Sequence, residues 1–184
     1  MTGYILLGVL VVLVFGAVTI YNKLVTNKNM VAEGWSGIDV QLKRRNDLIP
    51  NLIESVKGYM GHERGVLDQV TDLRTKSQAA QGVADKAKVE GAMGAALANL
   101  FAVAENYPDL KASQNFMDLQ KSLADIEEQV QLARRYYNGT ARNYNILIQS
   151  FPSNLMASAF KFTTVEYFEI EDAAERAVPK VAFP

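Results

Sequence analysis

Arg45 and Glu63 occupy positions in a 3,4 alternation of side chains that is otherwise mostly apolar. A guanidinium or carboxylate in such a seam must meet an opposite charge, a hydrogen bond or water, because burying it alone costs several kcal/mol. On an unbroken helix the two stand roughly 27 Å apart, too far to meet each other. Glu90, Glu127 and Glu128 are the carboxylates available to Arg45, and Arg134 and Arg135 are available to a carboxylate of the first soluble helix. The plain reading of these charges is interhelical pairing and register. The sharper one is recognition of a ligand or partner, and exposure at a frayed end is a third.

Other chemistry-bearing groups give weaker signals. His62 next to Glu63 joins an imidazole that titrates near neutrality to a carboxylate, as a proton-transfer pair would. Neighbouring residues on a helix point in different directions, however, and no nucleophile accompanies them. Arg134-Arg135-Tyr136-Tyr137 reads first as intramolecular packing and second as partner recognition, since it combines side chains that protein contacts favour, with Tyr137 reading as core and Arg134 and Tyr136 as more outward. Asp39, Asp47 and Glu54 are spread around the helix and form no compact cluster. Lys43-Arg44-Arg45 is short and includes a seam residue, so it suits phosphate or acidic lipid better than nucleic acid. Asn138-Gly139-Thr140 matches a glycosylation triplet but falls inside an expected helix.

Composition narrows the chemistry further. The 184 residues include no cysteine and one histidine, and the formal net charge is -1. Disulfides, thiolate metal sites, cysteine nucleophiles and multi-histidine metal sites within one chain are excluded. A metal would need carboxylates, which show no organised spacing. No cofactor is expected, no nucleic-acid partner is implied, and nothing points to an enzyme.

These residues must be positioned by long helices. The first stripe, Leu24, Lys28, Val31, Trp35, Ile38, Leu42, Arg45, Ile49, Leu52, Val56, Tyr59, Glu63, Val66, Val70 and Leu73, predicts a helix over residues 22–76 with a coiled-coil-like seam. Pro50 lacks an N–H and opposes the carbonyl four residues earlier, so a bend is expected there, the alternative being a new helix near Asp47. A polar stretch at 77–82 marks a turn. A second helix is expected over 83–106, rich in small residues such as Gly94 that would let a neighbour approach closely or would loosen its first half. Asn106-Tyr107-Pro108-Asp109 is a stop signal. The third helix, over 113–151 with Ser113 as its N-cap, carries the stripe Phe116, Leu119, Leu123, Ile126, Val130, Ala133, Tyr137, Thr140, Tyr144, Leu147 and Phe151. Short connections make these helices antiparallel neighbours. Leu155, Met156, Phe160 and Phe162 are expected to cover an end of the bundle, and 170–177 to form a short fourth helix before a tail at 179–184. The aromatic residues Tyr167, Phe168 and Phe183 argue that the tail docks.

Before all of this, residues 4–21 run without a charge, cover about 27 Å as a helix, and have tyrosine at both ends. The segment reads as a retained transmembrane anchor. A cleaved signal peptide would want a basic start and small residues before a cleavage point, and a buried soluble helix is the other competitor. No Lys or Arg precedes it, whereas Lys23 and Lys28 follow closely, so the positive-inside rule puts residues 1–3 outside and the domain in the cytoplasm. Lys23, Lys28 and Trp35 are candidate membrane-proximal contacts.

Two regions carry a resemblance to a known family. Asn22-Lys23-Leu24-Val25, the run from Val31-Ala32-Glu33-Gly34-Trp35 through Ile49-Pro50-Asn51-Leu52, and Glu54-Ser55-Val56-Lys57-Gly58-Tyr59 resemble the opening of the LemA family. Ala133-Arg134-Arg135-Tyr136-Tyr137-Asn138, Tyr144-Asn145 and Phe151-Pro152-Ser153-Asn154 are similar to its second characteristic region, so the likeness spans nearly the whole chain. It implies one N-terminal transmembrane helix, a short external N-terminus and a LemA-like helical bundle over 22–178 in a bacterial-type inner or plasma membrane. It implies no catalytic reaction. Gly34 stands where an alanine is common, and Gly61 follows Met60, both suggesting lower local rigidity.

The expectation is therefore an all-α protein. One transmembrane helix precedes an antiparallel up-and-down bundle of three long helices and a docked tail. The bilayer is the partner of residues 4–21, and an unidentified membrane or cytoplasmic protein is the partner of the domain. The leading function is a membrane-anchored scaffold or adaptor, and the alternative is a membrane-organising or lipid-contacting protein. A hydrolase with an unusual site ranks last. Self-association is open, because an overhanging first helix would expose Val31 and Trp35.

Overall fold

A computed structural model describes residues 1–61 and 63–169 of the chain. The fold is all-α: α1 (Thr2–Lys57), α2 (Arg64–Ala79), α3 (Val83–Ala104), α4 (Pro108–Lys111), α5 (Gln114–Gln149) and α6 (Ser153–Ala159). His62 and the expected short helix over 170–177, with Phe183 and the tail at 179–184, lie outside the described residues.

The helix expected over 22–76 is divided. α1 continues through Pro50 and stops at Lys57, and α2 begins seven residues later. Pro50 is tolerated because the carbonyl it orphans finds another donor: the Asn46 carbonyl oxygen accepts a hydrogen bond from Arg74 Nε at 3.0 Å. The break falls instead at Gly58 and Gly61, where helix propensity is poor. There the Tyr59 and Met60 amides both donate to the Val56 carbonyl oxygen, at 3.0 and 2.9 Å. This turn resets the seam, so Met60 is buried and the predicted core residue Tyr59 is exposed.

Downstream boundaries shift for local reasons. α2 absorbs the first residues of the expected turn at 77–82, leaving Ala80 to Gly82 as the connection. Gly82 has φ +81, which glycine adopts without strain. Pro108, read as a stop, starts the single turn α4, since proline is suited to the first helical position. The segment after Pro152, expected to cover an end of the bundle, forms α6. Lys161 adopts a left-handed conformation (φ 57), and the Lys161 and Phe162 amides bond back to the Ser158 and Ala157 carbonyl oxygens. These two bonds close α6 with a Schellman motif.

The chain divides into two compact units. One comprises residues 41–129 with, among the described residues, Phe168 and Glu169. Its core joins Ile49, Leu52 and Val56 of α1, Val70 of α2, Met93 and Leu100 of α3, Leu110 of α4, and Phe116 and Leu123 of α5. α2 and α3 pack along each other.

The other unit comprises residues 1–40 and 130–167. Here α1 and α5 approach closely at Gly34, where an added Cβ would lie 3.1 Å from Tyr137 Cα and 3.3 Å from Thr140 Oγ1. Gly34 therefore permits tight packing, the opposite of the looseness expected there. Val31 is buried, and Trp35 is half-buried with its ring edge-on to Tyr137 at 5.8 Å. The extended segment after α6 is docked. Asn145 exchanges two hydrogen bonds with the Val165 backbone, both 2.9 Å, and Tyr137 Oη donates to the Glu166 carbonyl oxygen at 2.8 Å. Phe151, read as the last residue of the α5 seam, is instead 80% exposed, because α5 ends at Gln149.

Candidate functional site

The most concentrated polar chemistry surrounds Arg45, within the unit of residues 41–129. Its guanidinium, 2% exposed on α1, donates through one terminal nitrogen to Glu127 Oε2 of α5 at 2.6 Å and through the other to Glu90 Oε2 of α3. The second Glu90 oxygen accepts the Ser77 hydroxyl proton from α2, and Ser77 Oγ accepts from Asn46 Nδ2 at 2.7 Å. Lys86 Nζ donates to the Ser77 carbonyl oxygen at 3.1 Å. The network Asn46–Ser77–Glu90–Arg45–Glu127 thus ties α1, α2, α3 and α5 by charge-assisted bonds, which are stronger than neutral ones. Arg45 Nε and Asn46 Oδ1 have no hydrogen-bond partner among the described residues.

Ser77 beside a carboxylate resembles an activated hydroxyl, but catalysis also needs access. Ser77 and Glu90 are both buried, and the carboxylate is already committed to Arg45. The arrangement suits register specification among helices. Among the described residues no three carboxylates or imidazoles converge on a metal position, and cysteine is absent. Sequence reasoning missed Ser77 and Asn46. Ser77 was hidden in a stretch that reads as a turn, while Asn46, adjacent to Arg45 on the seam flank, was the signal available.

The remaining candidates are dispersed. Glu63 is half-buried just before α2 and lies 3.5 Å from Tyr107 Oη, a long contact. Arg134 is half-buried and donates to Gln131 Oε1 at 2.9 Å. Arg135 and Tyr136 are exposed on α5. Burial pushes the Tyr137 phenol up from its ordinary pKa, with the Glu166 carboxylate adding to the effect, and burial does the same to Tyr144.

Lys23 and Lys28 are exposed at the end of the uncharged stretch of α1, and Lys28 Nζ sits 5.8 Å from the Phe162 ring centre. Tyr21 packs against Phe160 and Phe162 with ring centres 4.8 and 5.9 Å apart. Trp35 does not join them: it stands about 21 Å of helix rise beyond Tyr21. Residues 4–21, apolar and bare of protein contacts along most of their length, form the membrane-contacting segment. α3 is also long and apolar enough to cross a bilayer, but its Glu90 is buried on Arg45 in a protein core.

Known proteins are similar to this chain in sequence. Magnetosome protein MamQ of Magnetospirillum gryphiswaldense is 26% identical over 184 aligned residues, covering 86% of this chain and 68% of the relative. Magnetosome protein MamQ 2 of Paramagnetospirillum magneticum matches with the same identity and coverage. Protein LemA of Metamycoplasma hominis is 26% identical over 156 residues, covering 82% of this chain and 69% of its own length. The LemA family model matches residues 34–183, which include every member of the Arg45 network and the whole of α5, and the chain therefore belongs to the LemA family.

Proposed function

We propose that this LemA-family membrane protein is a scaffold or adaptor that presents one face of α5 to a protein partner. The observation that carries the reading is the exposed trio Leu132, Arg135 and Tyr136, at helical spacing on α5, with Leu132 42% and Tyr136 46% exposed. Aromatic and arginine side chains dominate protein-contact energetics, and an aliphatic neighbour supplies the apolar surround. The Arg45 network is enclosed, which suits a role in the fold. The positive flank at Lys23 and Lys28 supports a cytoplasmic domain with residues 1–3 outside.

A photo-cross-linker at position 136 in intact membranes tests the reading. The expected result is a single heterologous protein adduct that disappears with Arg135→Glu and is absent from a probe at exposed Thr71. Adducts only to a second copy of the chain would replace the adaptor with a self-assembling protein.

A further inference from the structure

The membrane-proximal end of the unit formed by residues 1–40 and 130–167 carries a groove of about 570 Å³. Its size is that of a small-ligand site. Lys23, Asn27 and Asn143 supply its polar lining, and Ile20, Ile146 and Phe151 its apolar lining. Lys23 and Asn27 lie roughly 3 and 9 Å of helix rise beyond Tyr21, against an interfacial layer some 5–8 Å deep on each side of the hydrocarbon. The groove therefore opens where phospholipid headgroups begin.

A second observation places α6 at the same level. Phe151, just before it, lines the groove with Ile20, and Phe160, just after it, packs on Tyr21. The far end of this short helix is thereby held to the last turn of the uncharged segment, and its near end borders the same groove as Ile20. Between and at these ends, Phe151, Leu155 and Phe160 are 80%, 62% and 55% exposed, although each is large and apolar. The left-handed turn at Lys161 returns the chain so that Phe162 also meets Tyr21.

The charges around the groove have one sign. No Asp or Glu occurs in residues 4–32 or 141–165, whereas Lys23, Lys28, Arg142 and Lys161 do, and all four are exposed. An aqueous partner is not needed to explain such a surface, since the bilayer is continuous with it through residues 4–21. Aromatic rings at headgroup depth and lysines facing anionic lipid are each favourable there.

We propose that this end of the molecule is a lipid-binding site. The groove takes the headgroup of an anionic phospholipid, with its phosphate at Lys23, Asn27 and Asn143, while Phe151, Leu155 and Phe160 enter the upper acyl region. α6 is then a second membrane contact beside the span. The inference rests on residues 4–21 being membrane-embedded and is independent of the α5 adaptor face.

The absence of cysteine makes the test direct. The full chain with Leu155→Cys or Tyr136→Cys carries a spin label and is reconstituted in nanodiscs of phosphatidylcholine with phosphatidylglycerol in equal parts. The expected result is a label at 155 relaxed more by oxygen than by an aqueous nickel chelate, and the reverse at 136. An aqueous signature at 155, or shielding from both reagents, overturns the insertion. Native mass spectrometry of the unlabelled chain released from the same discs is expected to retain phosphatidylglycerol over phosphatidylcholine. Lys23→Gln should lower that retention by about fivefold, the factor one basic residue near an anionic surface is worth. Equal retention of the two lipids, indifference to Lys23→Gln, or displacement by excess inorganic phosphate overturns the phospholipid as occupant.

Discussion

Arg45 and Glu90 are buried as a pair, and Arg45 has Glu127 as a second carboxylate partner. Removing the guanidinium leaves the Glu90 carboxylate buried without it, so Arg45→Met is expected to destabilise the protein by about 3–5 kcal/mol, and Glu90→Met by less because Arg45 keeps Glu127. Arg45→Met with Glu90→Met replaces both charges with apolar groups and should cost far less than the two single changes added together. Denaturant unfolding in detergent of the two singles and the double variant checks this. Additive losses would mean that the pair is not coupled as its geometry requires. Tyr137 and Tyr144 set a different limit. Their phenols are harder to ionise in the fold than in the unfolded chain, through burial and, for Tyr137, Glu166 as well. The stability they contribute is complete below about pH 10, the ordinary tyrosine value, and is lost as pH rises through the higher folded values. The melting temperature should therefore be insensitive to these groups at neutral pH and fall in alkali. Tyr137→Phe should make the alkaline fall shallower, at the cost of about 1 kcal/mol at neutrality from its bond to the Glu166 carbonyl. An unchanged alkaline slope would remove Tyr137 from the account.

At the scale of the helices, Pro50 and Arg74 form a linked pair although they lie on different elements. The proline frees the Asn46 carbonyl and the arginine occupies it. Arg74→Leu should cost about 1–3 kcal/mol because it strands a polar group. In a Pro50→Ala background the alanine N–H can take that carbonyl, and the same arginine change should become much cheaper. A thermodynamic cycle over the four proteins measures the coupling, and a zero interaction energy would contradict it. The helical glycines separate in the same physical way. Gly94→Ala meets open space and should gain up to about 1 kcal/mol of helix propensity, whereas Gly34→Leu must force α1 away from the α5 backbone and should cost more than it gains. Melting curves that rank Gly94→Ala below Gly34→Leu would reject the contact.

These elements also show what was legible in advance. Leu24, Val31, Ile38, Leu42, Ile49, Leu52 and Val56 are buried at the spacing from which α1 was read, and Phe116, Leu123, Ile126, Val130, Tyr137 and Tyr144 do the same for α5. Periodicity reports a face and does not report where a helix stops. The seam phase survives Gly58 and Gly61 on paper, while the chain turns there to bury Met60. The Arg45 site was half legible: a charge in an apolar stripe announces that partners exist, and Glu90 and Glu127 stood among the carboxylates within reach. Ser77 and Arg74 were not readable, because their roles arise only when α2 is laid against α1. α6 was missed because seven residues are too few to show a period, and its Schellman closure uses a lysine where glycine would have been the signal.

At the scale of the whole molecule, one segment determines which solvent every other surface meets. The uncharged part of α1 cannot be satisfied by water, and the nearest Lys and Arg side chains follow it in sequence. Folding adds to that asymmetry, because Lys161 is flanked by the two rings that pack on Tyr21, a position that counting charges along the chain would not credit to the membrane flank. Each basic residue held near a membrane surface favours the cytoplasmic side by electrostatics and by the insertion bias. The proposed orientation, with residues 1–3 outside, should therefore withstand removal of a single flanking charge. In intact cells a membrane-impermeant maleimide is expected to label Gly3→Cys and to spare Tyr136→Cys until the membrane is broken. Lys23→Gln alone should preserve this pattern, whereas Lys23→Gln, Lys28→Gln and Lys161→Gln together should produce a mixed population. Labelling of Tyr136→Cys in intact cells with all lysines present would invert the topology, and with it the side on which the exposed face of α5 could meet a partner.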